Sequence, residues 1–202
     1  LSFRPGNLKN PRFLPEALAA TDYLFSSAAT VGESLTNFPF QLNYNRSGHS
    51  EVPVFEFPIA IEDTTPLSLE RLLVKAIDLA ERDARFGGAC VVLIHPNVID
   101  PKLEFEKKLI EGVQGKAWTG SIRDFGTWWA ARNAVAVDVT TTGKGRTVEL
   151  DIPKEIEGLT VDVPHGWTFE SSQPAGWAKL AAPGVVLLPK LSGKLSLIFS
   201  VS

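Results

Sequence analysis

The stretch Cys90-Val91-Val92-Leu93-Ile94-His95-Pro96-Asn97 constrains the fold of this chain more than any other. It is a short apolar run rich in β-branched residues. It follows Gly87-Gly88 and stops at a histidine that precedes a proline. A run of about four to eight such residues between turn formers reads as a strand buried on both faces. The pattern before it, Ser68 to Arg85, places Leu69, Leu72, Leu73, Ala76 and Leu79 at helical spacing behind a serine cap. Helix followed by buried strand is the repeating unit of a parallel α/β sheet or barrel. In those folds the chemistry collects at the C-terminal ends of the strands. His95 falls at such an end, and histidine is the side chain most readily used as acid or base near neutral pH.

Composition narrows the function classes. Hydrophobic residues are 44% and charged residues 21% of the 202 positions, which predicts a globular protein with a real core. The formal net charge of −3, with lysine and arginine scattered, gives no reason to expect a nucleic acid or an anionic membrane as partner. No apolar stretch approaches the roughly 20 residues of a membrane span. Cys90 is the only cysteine, so no intrachain disulfide and no cysteine-based zinc site can form, and it is expected to pack as a small hydrophobe. The sequence lacks methionine and opens Leu1-Ser2-Phe3-Arg4-Pro5-Gly6, which leaves open a mature exported protein, a proteolytic fragment or a chain with a further N-terminal part.

Along the chain, Pro15 to Ala20 predicts a short helix and Tyr23 to Ser27 a strand. Val52 to Ile61 alternates, with Phe55, Phe57 and Ile59 on one face and Glu56 on the other; Pro53 and Pro58 predict an irregular or edge strand. Further helices are expected from about Lys102 to Val113 and from about Ser121 to Asn133. From 134 onward the sequence predicts strands at Val135–Thr140, Thr147–Ile152, Thr160–Val163, Trp167–Ser171, Gly184–Leu188 and Lys194–Val201. Such spacing, with Gly, Pro and Asp turns, indicates a small β-sandwich. The expected division is 1–133 and 134–202. The fold class is α/β plus all-β.

Among three histidines, His49 reads as solvated in a polar loop and His165 as part of a β-turn. His95 is the functional candidate. Arg4 follows a possible strand end, where an arginine can grip a carboxylate at two points. Asp63 ends the Phe55–Ile61 segment and either orients a neighbour or starts the turn. Trp128-Trp129 reads as packing or as a sugar platform, and Trp167 and Trp177 as core of the C-terminal part.

These elements come in a suggestive order: Phe3-Arg4-Pro5-Gly6, Phe55-Glu56-Phe57-Pro58 leading to Asp63, Leu93-Ile94-His95-Pro96-Asn97, then Gly126-Thr127-Trp128-Trp129-Ala130-Ala131-Arg132. The set resembles the C-terminal half of the polysaccharide deacetylase family (NodB homology, carbohydrate esterase family 4). The resemblance covers roughly residues 1–133. It implies the C-terminal part of a distorted (β/α) barrel, followed here by the small β-sandwich. It further implies that Arg4 pairs with a catalytic-base aspartate, that Leu93 lines the acetyl pocket, that His95 is the general acid, and that Asp63 stands in the region of the family's fourth motif. The family's Asp-Trp pair is absent there. Trp128 belongs to the segment resembling the last barrel helix and is a candidate substrate contact.

The resemblance implies a hydrolase that removes acetyl groups from N-acetylated polysaccharide with a divalent metal, commonly zinc. The family's catalytic aspartate, metal-binding aspartate and HxxxH pair precede the Arg-Pro motif and are not in this sequence. The chain is therefore expected to supply the acid half of a site and no metal ligands, and to be inactive alone. A missing N-terminal segment or a second chain would complete the barrel. An exported location follows from the family's envelope and extracellular substrates. The alternative is a non-catalytic carbohydrate-binding or scaffold protein on the same fold. A third is an unrelated α/β domain in which His95 is structural.

Overall fold

The computed structural model describes residues 1–43 and 50–202. His49, read above as a loop residue, lies outside the described residues. The chain divides into two compact units, Leu1–Gly126 and Thr127–Ser202. The split falls within the last helix, between Gly126 and Thr127.

The first unit mixes helices and strands. In chain order it contains β1 (Ser2–Phe3), a 3-10 turn (Gly6–Leu8), α1 (Leu14–Ala19), β2 (Phe25–Ser26), α2 (Val31–Ser34), β3 (Phe40–Asn43), β4 (Glu51–Glu56), β5 (Ile59–Glu62), α3 (Leu69–Phe86), β6 (Val91–Leu93) and α4 (Ile99–Val113). Helix α5 (Ile122–Asn133) crosses into the second unit.

Local chemistry explains the helices. Ser68 Oγ accepts the backbone N–H of Arg71 and caps α3, which ends at Gly87 in a left-handed conformation (φ 75°). Its apolar stripe buries Leu72 and Ala76 against Ile61 and Phe105. Helix α4 starts at Ile99, earlier than the expected Lys102. Pro101 sits in its first turn, where the N–H that proline lacks has no intrahelical acceptor.

Among the described residues, β1, β2, β4 and β3 form one sheet in that order, with β1–β2 and β2–β4 parallel and β3–β4 antiparallel. Strands β5 and β6 pair in parallel. The irregular or edge strand expected at Val52–Ile61 is irregular: it breaks at Phe57-Pro58 into β4 and β5, and β5 pairs with β6 in a sheet of two described strands, whereas β4 is not an edge. Strand β4 lies between two neighbours, and Val54, Phe55, Glu56 and Phe57 are all buried. Pro58 falls between β4 and β5, where no ladder bond is interrupted.

The Phe57 ring meets Phe25 and Phe125 edge-on, with centroids 5.9 and 6.2 Å apart. Gly126 fits beside this cluster because it has no side chain: a Cβ there would sit 2.7 Å from the Phe25 ring. Gly126→Ala is expected to cost about 1–3 kcal/mol by overpacking. A lowered urea midpoint at unchanged m-value would show it, and an unchanged midpoint would refute it.

The second unit is β-rich: β7 (Ala136–Thr142), β8 (Gly145–Ile156), β9 (Thr160–Asp162), β10 (Trp167–Gln173), β11 (Lys179–Ala182), β12 (Val185–Leu187) and β13 (Leu191–Val201). The described strands form two sheets, ordered β10-β13-β8-β7 and β11-β12-β9. Alternation sets the core face. Val148, Leu150 and Ile152 of β8 point with Leu195, Leu197 and Phe199 of β13 into one cluster that also takes Val186 and Leu188. Strand β11 was not foreseen, because Lys-Leu-Ala-Ala lacks β-branched residues and is exposed throughout. Trp167 packs on Phe199, but Trp177 is 38% exposed and does not join the core expected for it. No helix among the described residues is long and apolar enough to cross a membrane.

Candidate functional site

Two parallel strands deliver the site. Register pairs Glu62 of β5 with Leu93 of β6, so both strands end at the same level. The next residue on one side is Asp63, whose N–H donates to the carbonyl of Leu93 at 3.3 Å. Two residues beyond the other end is His95. The Asp63 side chain is wholly buried, while that of His95 is 44% exposed.

Each oxygen of Asp63 has its own partners. Oδ1 lies 2.6 Å from His95 Nδ1. Oδ2 accepts the His95 backbone N–H at 3.0 Å and the Lys102 ammonium at 2.5 Å. Lys102, from the first turn of α4, also donates to the His95 carbonyl at 3.1 Å and to Asn97 Oδ1 at 2.5 Å. An ionised carboxylate only accepts, so the pairing assigns the Nδ1 proton to the imidazole and leaves Nε2 for solvent or a ligand.

Burial by itself would raise the Asp63 carboxyl. Hydrogen bonds from Lys102 and from the ring and backbone of His95, with the Lys102 charge, overcome it and hold the group down at about 2. The sign of the linkage follows. The folded value lies below the ordinary 3.8, so the stabilisation is present above that value and is lost as pH falls from there through about 2. The loss is on the order of 1–2 kcal/mol after allowing for screening. Denaturation followed between pH 5 and pH 2 should show Asp63→Asn lacking this part of the wild-type acid sensitivity; identical slopes would refute it.

Of the other candidates, Leu93 adjoins the pair and Arg4 and Trp128 have partners of their own. Leu93 is buried in β6. Arg4 follows β1, where its Nη2 donates to Ser27 Oγ at 3.0 Å. Burial lowers the Arg4 guanidinium and the Glu56 charge opposes that shift. Arg4, Ser27, Ser2, Phe3 and Ile122 line an open pocket of about 250 Å³. No bond among the described residues joins Arg4 to Asp63 or His95. Trp128 belongs to the second unit, where its indole N–H donates to the Glu157 carbonyl at 2.8 Å and its ring packs against the core.

Sequence reasoning missed Lys102 and the role of Glu56. Glu56 is 1% exposed, and its Oε1 accepts the N–H groups of Ala28 and Ala29 at 2.6 and 2.8 Å. Lys102 carried one signal: a cation in the first turn of a helix opposes the macrodipole and needs another charge to hold it there.

The thiol of Cys90 is chemically quiet. Burial, with the Asp83 charge, pushes it up to about 12. The Asn37 amide nitrogen donates to the Asp83 carboxylate, lying 2.8 and 3.1 Å from its two oxygens. Native protein at pH 8 should resist iodoacetamide for hours while urea-unfolded protein reacts; equal rates would refute this.

A divalent ion does not fit at Asp63, whose two oxygens are committed to an imidazole and an ammonium, and a cation there would face the Lys102 charge. Among the described residues no three His, Cys, Asp or Glu side chains converge as metal ligands do. Comparison with family models, curated proteins and solved structures finds no match to this chain.

Proposed function

We propose that this chain supplies the general acid of a hydrolase that removes acetyl groups from N-acetylated polysaccharide. One observation carries the reading: a fully buried, ionised Asp63 holds Nδ1 of a half-exposed His95 at the ends of two parallel strands. The carboxylate fixes the ring through Nδ1, and Nε2 is the atom left to work. When protonated, His95 donates from Nε2 to the leaving amine as the acetamide C–N bond breaks, and the neutral ring keeps its Nδ1 proton, hydrogen-bonded to the Asp63 carboxylate.

In this reading the first unit is the C-terminal part of a distorted (β/α) barrel, supported by its parallel strands and intervening helices. The second is a small β-sandwich, supported by two sheets that share a core. Leu93 stays as a substrate contact and Arg4 as partner of a base carboxylate. The divalent metal, zinc by the family resemblance, and its ligands belong to an N-terminal segment or second chain, and the protein is exported. No step through the metal is assigned to the residues described here.

The test is acetate release from N-acetylglucosamine oligomers by the full-length protein. His95→Ala is expected to lower turnover by about 10²–10⁴-fold, and unchanged turnover would sink the reading. A second reading, glycan binding without catalysis, draws on Trp177, exposed in the second unit. Saturable quenching of Trp177 by glycan, without acetate release, would select it.

A further inference from the structure

We infer that Lys102 is a positioning residue for His95, holding the imidazole in a state from which it can both gain and lose a proton. The inference rests on the reading of His95 as a proton donor and adds a residue to it. Its basis is the way Asp63 divides its two oxygens. One serves the imidazole; the other is neutralised by an ammonium only 2.5 Å away.

A buried carboxylate facing a histidine alone attracts the imidazolium strongly, and a ring that never releases its proton cannot turn over. The Lys102 ammonium balances the Asp63 charge, so the ring faces a pair of net charge zero. The charged groups of the cluster are three: Asp63 from the end of β5, Lys102 from α4 and the ring itself beyond β6. Lys102 also ties the carbonyl of His95 and the side chain of Asn97. These bonds tie down the turn that carries the half-exposed His95 ring. The turn continues into Val98, a β-branched residue held in the left-handed region (φ 53°). Such a conformation persists only where its surroundings impose it. The Lys102 side chain is 14% exposed, so its charge is poorly screened.

The experiment is a long-range 15N NMR titration of the imidazoles in the 202-residue chain, with the His95 signals assigned by His95→Gln. In Lys102→Met the His95 ring should keep its proton to higher pH than in wild type, by about one unit. Lys102→Arg, which keeps the charge, should return the midpoint to near wild type. Lys102→Gln, which loses the charge but can still bond Asn97 and the His95 carbonyl, should behave as Lys102→Met does, and it serves if the methionine variant does not fold. Coincident titrations of wild type and the folded uncharged variant would overturn the inference. So would an arginine variant that titrates like methionine. This readout needs no substrate, so it stands apart from acetate release. Failure of the His95→Ala assay removes the deacetylase reading and leaves the Lys102 titration result intact.

Discussion

Asp63→Ala is expected to destabilise the first unit by about 3 kcal/mol. Breaking a buried ion pair by deleting one partner typically costs ~3–5 kcal/mol, because the remaining charge keeps its desolvation without its partner. Lys102 is the charge left behind. It retains the His95 carbonyl and Asn97 and slight exposure, which places the cost at the low end. The backbone N–H of His95 loses its acceptor at the same time. Asp63→Asn should cost less, ~1–2 kcal/mol, since an amide oxygen still accepts one hydrogen bond. Both variants should lower turnover by about 10²–10⁴-fold if His95 is the proton donor, because the ring loses the partner that selects its tautomer. Urea denaturation of the three proteins measures the first effect and acetate release the second. A wild-type midpoint for Asp63→Ala would show that the pair contributes nothing.

Glu56→Leu should be at least as costly, with a loss of about 3–5 kcal/mol. Its carboxylate is buried and caps the N–H groups of Ala28 and Ala29, just beyond β2. It is also the opposing charge for the part-buried Arg4. Leucine fills the volume but leaves two buried donors unmet, at roughly 1–3 kcal/mol each, and an arginine without its counter-charge. Glu56→Gln keeps one acceptor and should lose only ~1–2 kcal/mol. The ratio of the two losses tests the account. Equal urea midpoints for the Leu and Gln variants would mean that the hydrogen bonds to Ala28 and Ala29 do not matter.

Much of the local structure was legible. Ser68 and Gly87 bound α3 because capping and left-handed geometry depend on the residue itself and its nearest neighbours. Strand β6 was readable from its β-branched run, and β8 and β13 from alternation that does put Leu150 and Leu195 into one core. What was not legible shares a cause. Pro53 and Pro58 left an irregular or an edge strand open; the segment does break at Pro58, but β4 has neighbours on both sides, and strand order is a non-local fact. Alternation did not decide whether Glu56 faces inward or outward, and the folded chain buries it. Trp177 was assigned to a core by its residue type, although exposure depends on what the chain brings against it.

For the site, the sequence alone determined that a histidine ends a buried strand, and it named Asp63 without deciding between orienting a neighbour and starting a turn. Periodicity and composition act over a few residues, so they place such groups along the chain. They do not say which groups meet. The pairing of Asp63 with His95 required the parallel register of β5 and β6, in which residues 32 apart share one end of the sheet. The choice of Lys102 as third member required α4 to start at Ile99 and carry its first turn over the carboxylate. Tertiary structure also separated Arg4 from that cluster and gave it to Ser27 and Glu56. Electrostatics in a buried site depends on distances of a few ångströms between groups far apart in sequence, and only the folded chain sets those distances.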